Sequence, residues 1–483
     1  MMPRAMLALA LVAMLPAGCR VPPPAPPPQA YAPAPGSPQD AYKELNGWRP
    51  SQPSDVLSRG AWWETFGDVE LDALEVEVDV ANQDVKAAEA RFRAARAAVG
   101  YSRAAEYPTI GVAAEIASQR SSDNAPGSSK KNNAVLDYVL PFDLSYEIDL
   151  WGRVRRVVQL NREEAQAVAA DLESVRLILH AELAFDYFQV RAADAQKDLL
   201  EQTVESYRKT LELTTNRFNE GAAPKSDVTQ ARTQLQSAIV ADSDISLQRA
   251  QYEHAIALLV GKRPAEFAVA AAVQALTPPE VPTGLPSQLL ERRPDIAAAE
   301  RRVAEANEQI GLARLAYFPT LSLQGIGGYE GHSFGSWFEL PSRIWAVGPA
   351  LTETLFDAGR RRASAMGALA NYDESAAYYR QTVLQAFTQV EDNLAILRIL
   401  QSEAGQQSEA TSSARESLEL IMNRYREGAS SYLQVLTAQT VALENERNEI
   451  DIHRRQMGAT VLLIKALGGG WTRAGLPAFS ELR

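Results

Sequence analysis

From Leu71 to Ala104 apolar residues recur every three or four positions and no proline intervenes before Pro108, a periodicity that predicts one helix. The period then changes. Ile110, Val112, Ala114 and Ile116 alternate with Thr109, Gly111, Ala113 and Glu115, which predicts a strand. A polar run from Arg120 to Asn133 leads to a second alternating stretch, with Leu140, Phe142, Leu144, Tyr146 and Ile148 set against Asp143, Ser145, Glu147 and Asp149. One face is apolar and the other acidic. Two such stretches around a polar loop suit either a solvated surface sheet or a membrane-spanning hairpin, in which the acidic face would line a lumen and favour cations.

Helical spacing returns after Gly152, through Val168, Leu172, Val175 and Leu179, and the next proline is Pro224. About 70 residues of unbroken helix are expected, on the order of 100 Å at the usual rise per residue and far longer than a globular helix. The chain then turns at Gly221 to Pro224. A shorter helix follows to about Val260, with Ser226 as its expected N-cap and Gly261 as its stop.

The same programme then runs a second time. Ala87-Ala88-Glu89 with Tyr107-Pro108-Thr109-Ile110 matches Ala298-Ala299-Glu300 with Phe318-Pro319-Thr320-Leu321, at an offset of 211. Gly152-Arg153 matches Gly359-Arg360, and Arg217 to Gly221 matches Arg424 to Gly428, both at an offset of 207. Each half therefore reads as helix, strand, loop, strand, very long helix, tight turn, shorter helix. The expected repeats are 61–277 and 278–483, the second opening on a Pro-rich join between Pro278 and Pro294. Four strands per chain cannot close a membrane barrel, which needs about eight or more. Three copies would supply twelve strands and twelve helices, although the count alone admits other multiples.

Composition narrows the setting. A net charge of -12 without a Lys/Arg cluster makes nucleic acid a poor partner. The single cysteine, Cys19, cannot form an internal disulfide and follows a short apolar run, Met6 to Leu15, behind Arg4. Residues 1–18 read as a signal peptide, and 19–60, rich in Pro, Ala, Gly and Ser up to residue 38, as a tether. Leu15-Pro16-Ala17-Gly18-Cys19 resembles a bacterial lipobox, with Pro16 standing where the pattern has Leu. That resemblance implies a covalent lipid on Cys19 and, with Arg20 next, an outer-membrane address.

Several longer motifs resemble one family, the TolC-like outer membrane factors of tripartite efflux pumps, in particular their lipoprotein branch. The carriers are Trp62-Trp63 with Phe66-Gly67-Asp68, Asp149-Leu150-Trp151-Gly152-Arg153, the run from Gly284 to Ile296 containing Arg292-Arg293-Pro294-Asp295, and Leu355-Phe356-Asp357-Ala358-Gly359-Arg360. The resemblance implies a mainly α chain with a transmembrane β-barrel portion, assembled as a homotrimer with a 12-strand β-barrel on a 12-helix α-barrel. It implies a passive exit duct for small molecules that docks a periplasmic adaptor and an inner-membrane transporter, expected to be of the resistance-nodulation-division type. A duct for type I protein secretion, or a periplasmic coiled-coil scaffold lipoprotein, are the alternatives. The tip carrying the adaptor contact falls on Arg217, Gly221, Ser226, Asp227, Arg424, Tyr425, Gly428, Ser430 and Gln434. Within it, Ser226 and Asp227 are expected to latch to Tyr425.

Local readings stand beside these roles. Arg217 and Arg424 lie in the last turn of their helices, where a cation suits the exposed carbonyls, and Ser431 with Gln434 fits a capping box. His180, His254, His332 and His453 lack metal spacing and are expected at the surface. Gly325, Gly327, Gly328 and Gly331 precede no helix and so make no dinucleotide loop. No nucleophile, metal site or cofactor site is read; the only non-protein group expected is the lipid on Cys19.

Overall fold

The computed structural model describes residues 61–120, 122, 134–273, 276–279, 281 and 292–482. The signal peptide, the tether with Cys19, most of the polar run after Arg120 and the stretch 284–291 lie outside these residues. The helices are α1 (Val69–Ala81), α2 (Gln83–Ala104), α3 (Arg153–Asn219), α4 (Lys225–Leu259), α5 (Pro294–Leu315), α6 (Arg360–Arg426) and α7 (Tyr432–Ala466). The strands are β1 (Thr109–Val112), β2 (Glu115–Gln119), β3 (Val135–Glu147), β4 (Thr320–Gly331) and β5 (Arg343–Thr352). The internal repeat is metrically close. Helices α2 and α5 are both 22 residues, α3 and α6 both 67, and α4 and α7 both 35. At about 1.5 Å per residue the long pair reaches roughly 100 Å.

The helix expected over 71–104 is two helices. Asn82 leaves the helical region at ψ 132, and its side-chain oxygen accepts the Asp84 and Val85 amides at 2.8 and 3.2 Å, capping α2. Its amide nitrogen donates to the Leu259 carbonyl at 2.9 Å, fastening the bend to the end of α4. The strand expected after Pro108 is also divided. β1 and β2 both pair with β3, and across from the gap at 113–114 lie Leu140 and Pro141, the latter with no N–H to donate to a ladder. On its other side Pro141 faces Gly328, where a Cβ would come within 2.0 Å of the Leu140 carbonyl oxygen. A glycine is required at that crossing.

The sheet is antiparallel in the order β1-β3-β4-β5, with β2 continuing β1 along the same side of β3. Its outer edges are β1/β2 on one side and β5 on the other. The helices repeat that order. Next to the sheet α3 packs between α2 and α5, with α6 beyond α5; farther away α4, α3, α7 and α6 follow one another. In every layer one end of the row is β1/β2, α2 or α4, and the other is β5 or α6.

The largest core lies about midway along the helices, where Trp62, Leu71, Val78 and Val85 pack on Leu183, Tyr187 and Val190 of α3 and on Val461 and Ile464 of α7. A buried polar knot reinforces it. The guanidinium of Arg191, wholly buried, meets Glu70 at 2.5 Å and Asp194 at 3.2 Å, and donates to the Ala270 carbonyl at 2.6 Å. Two remote stretches of chain, at Glu70 and Ala270, are thereby tied to α3.

Replacing Asn82 by Ala removes one cap and leaves a buried carbonyl unpaired, a loss of about 1–2 kcal/mol. The melting temperature in detergent is expected to fall. Asn82→Asp, which keeps the acceptor and loses the donor, should lie between; equal melting of all three would place the restraint on the bend elsewhere.

Candidate functional site

The sheet register sorts its side chains into two unlike faces. Ile110, Val112, Ile116, Leu140, Phe142, Leu144, Leu323, Trp345, Val347 and Leu351 share one face, since their partners across each ladder fall in phase. Most of these are strongly exposed in the single chain, Ile110 by 70% and Trp345 by 80%. Water would not stabilise such a surface; hydrocarbon would. The opposite face holds Gly111, Glu115, Ala117, Asp137, Asp143, Ser145, Glu147, Ser322, Gln324, Gly328, Glu330, Ala346 and Gly348. It is mostly small, polar and acidic, with Val135, Val139, Ile326 and Ile344 interspersed. Among the described residues no helix is long and apolar enough to cross a membrane.

Two of the acidic residues expected on the lumen do other work. Strand β3 ends at Glu147, which is paired with Arg153, and Asp149 lies beyond it, accepting the Val154 and Arg155 amides at 3.0 and 3.1 Å to cap α3. The second repeat achieves the same with Asp357, which accepts from the Gly359 and Arg361 amides at 3.0 and 3.1 Å. Trp151 donates to the Pro319 carbonyl at 2.7 Å and packs on Phe318 at 5.1 Å. Motifs 168 residues apart in sequence thus form one strand-to-helix collar.

At the far end α3 and α6 stop alike. Gly221 and Gly428 take φ of +75 and +79, and the residues after them return hydrogen bonds to Arg217 and Arg424 carbonyls at 2.8 Å, closing Schellman turns. The Arg217 side chain reaches across to the other hairpin: its guanidinium donates to the Tyr425 carbonyl and lies 4.5 Å from the centre of the Tyr425 ring. It caps the partner helix of its own chain rather than the helix that carries it. Tyr425 is buried, with its hydroxyl 3.2 Å from Thr214 Oγ1 and its ring 6.0 Å from that of Tyr432. Arg424 is exposed.

The other tip residues are local. The N-cap position of α4 is Pro224, which makes no side-chain cap, and not Ser226, whose exposed hydroxyl sits 3.3 Å from Asp227 in the first turn. Neither Ser226 nor Asp227 bonds Tyr425 within the chain; the long Arg217 arm occupies that place. Ser430 donates to Gln434 Oε1 at 2.6 Å, and the same oxygen accepts the Ser431 amide at 3.2 Å, the reciprocal half of a capping box.

One histidine expected at the surface is in the core. His180 of α3 stacks on Trp63 at 4.5 Å, and its Nδ1 lies 2.7 Å from Glu75 of α1, with Asp79 3.5 Å from Nε2. Burial works to lower the imidazole pKa, but hydrogen bonds to Asp79 and Glu75 hold it raised, to about 9. Burial also lifts Glu75, to about 7. The signal in sequence was slight: Glu75 and Asp79 are four apart on one helix, and nothing local joins them to position 180. His254 and His332 are exposed and His453 is half-buried beside Gln456.

An antiparallel sheet with an apolar outer face, continued by helices of about 100 Å, defines an outer-membrane channel with a helical extension. The chain belongs to the outer membrane efflux protein family, whose sequence profile matches residues 76–262 and 285–469, one stretch in each repeat. It is 31% identical over 473 residues to the probable efflux pump outer membrane protein TtgC of Pseudomonas putida, covering 97% of this chain and 96% of that one. It is 34% identical over 336 residues to the toluene efflux pump outer membrane protein TtgF of the same species, with 69% and 70% covered. The solved structure of the outer-membrane channel OprN aligns with a TM-score of 0.85 at 29% identity, over 94% of this chain and all of that one. The chain is an outer-membrane efflux channel.

Two outcomes follow from this geometry. Arg217→Ala removes a cation–π contact and a charge-assisted hydrogen bond, about 1–3 kcal/mol together, and should raise the open probability of the channel in planar bilayers. Unchanged gating would mean the contact does not restrain the tip. For His180 the folded pKa is raised, so its stabilisation is full below pH about 6.5 and is lost as pH climbs towards about 9; the raised Glu75 gives a loss of the same sign between about 4.5 and 7. The melting temperature should therefore fall from pH 6.5 to 9, and His180→Gln should flatten that slope; a variant retaining it would assign the pH dependence to other groups.

Proposed function

We propose that three copies of this chain close side by side into one passive conduit, through which a tripartite pump exports small, largely apolar molecules across the outer envelope. The observation that carries this reading is the common edge order in all layers. β5 and α6 of one copy face β1/β2, α2 and α4 of the next, a head-to-tail interface that makes a ring when it closes. Two copies would give about eight strands, a barrel that side chains normally fill. The inward face here is rich in Gly, Ala, Ser and carboxylates, which suits a wet lining more than a packed interior, and twelve strands leave an aqueous path.

The tip at Arg217, Gly221, Ser226, Asp227, Arg424, Tyr425, Gly428, Ser430 and Gln434 is the part that meets a periplasmic adaptor and, through it, an inner-membrane transporter of the resistance-nodulation-division type. Exposed Arg424 and Ser226 are free to make that contact, while Arg217 and Tyr425 hold the hairpins in register. Cys19 carries a covalent lipid that tethers the duct, and the chain performs no chemistry of its own. The toluene named for one relative suits an apolar cargo.

Planar-bilayer recording tests the reading. With Glu115, Asp143 and Glu330 on the inward face and no Lys or Arg among the inward strand positions, the open channel is expected to prefer cations, and Asp143→Asn with Glu330→Gln to shift the reversal potential towards zero in a salt gradient. No conductance at any voltage would overturn the conduit, and anion preference the assigned lining. Mass analysis of the N-terminal peptide tests Cys19: an unmodified thiol in outer-membrane protein would remove the tether.

A further inference from the structure

The connection between β4 and β5 does not fold towards the conduit. Trp337 is 7% exposed and packs on Tyr138 at 5.4 Å, Phe338 packs on Tyr329 at 5.6 Å, and Phe334 lies 6.3 Å from Tyr138. Tyr138 and Tyr329 belong to the apolar face of the sheet, in phase with Leu140, Phe142 and Val347. Gly331 belongs to it too, and a Cβ there would touch Trp337 Cα at 3.3 Å. Ser342 donates to the Ser336 carbonyl at 2.7 Å, and the Ser333 and Ser336 hydroxyls lie 2.7 Å apart, so the loop is an ordered knob built onto the outward face.

The knob hides Trp337 and presents other large apolar groups: Phe334 is 70% exposed, Leu340 68% and Phe338 58%. Beside them, on the same face, stand Trp345 and the exposed Arg343, opposite Tyr329 in the ladder. Exposed aromatics continuous with a hydrocarbon-facing surface and ending in a cation match the boundary between acyl chains and anionic headgroups, where aromatic side chains have one apolar and one wet side. We infer that this knob is a membrane-surface anchor. Phe334, Phe338 and Leu340 enter the outer leaflet at headgroup depth, and Arg343 meets the phosphate of a net-anionic headgroup. The loop then cannot act as a lid over the pore, and it fixes the height of the sheet in the bilayer.

Spin labels report that depth directly. The full-length channel, in a Cys19→Ala background, is labelled singly at Leu340→Cys, at Val347→Cys on the hydrocarbon face, and at Lys225→Cys in the aqueous tip, then reconstituted into vesicles of phosphatidylethanolamine and phosphatidylglycerol. Collision with a water-soluble nickel chelate should be at least about threefold lower at 340 than at 225, with 347 lower still. Arg343→Gln should bring the collision rate at 340 closer to that at 225 in these anionic vesicles and leave it unchanged in vesicles of phosphatidylcholine alone. A label at 340 as accessible as that at 225, with 347 protected, would overturn the anchor while leaving the spanning sheet in place. Free access at 347 would overturn both.

Discussion

Hydrocarbon offers a peptide group no partner, so a sheet crossing a membrane must have no unpaired edge. Each exposed N–H or C=O costs several kcal/mol there. This chain has four strands' worth of sheet and two free edges, Thr109–Gln119 and Arg343–Thr352. A single copy is therefore a segment of a wall. The helices obey the same order as the strands because each long helix grows directly from a strand, through collars in which Asp149 and Asp357 take up the first free amides. Closure of the sheet closes the helical tube as well.

Duplication supplies the length economically, and divergence between the copies supplies the joints. Arg217 of the first repeat crosses to Tyr425 of the second, so the two hairpins of one chain are locked by residues that sit at nearly equivalent positions and do unequal jobs. The collar shows the same divergence: Asp149 acts three residues before its glycine and Asp357 two before. Midway along the helices, Arg191 and His180 hold the entering N-terminal segment with buried charge. Such contacts gain little net stability, but losing one partner leaves a charge stranded, which makes them selective for one arrangement.

Much of this was legible in the sequence because the signals were long. Helices of 67 residues free of proline, strands alternating at a period of two, and anchors repeated at 207 and 211 survive any local error. What was not legible depended on tertiary partners. Asn82 looks like an ordinary helical residue until Leu259 receives its amide; the strand break comes from Pro141 on a neighbouring strand; and Ser226 satisfies the composition of a cap without occupying its place. His180 was misplaced for the same reason, since its carboxylates lie on another helix. Of the acidic stripe of β3, Asp143 and Glu147 do share the inward face, with Glu147 paired to Arg153 at the strand's end, whereas Asp149 lies beyond the strand and caps the long helix.

The central claim is that the chain is one third of a closed wall. The mass of the intact assembly, extracted from outer membranes in mild detergent and measured by native mass spectrometry, tests it most directly. Three chain masses, with any bound lipid accounted for, are predicted; a monomer, or an assembly of two, would contradict the account, because neither gives an edge-free sheet with room for a path inside.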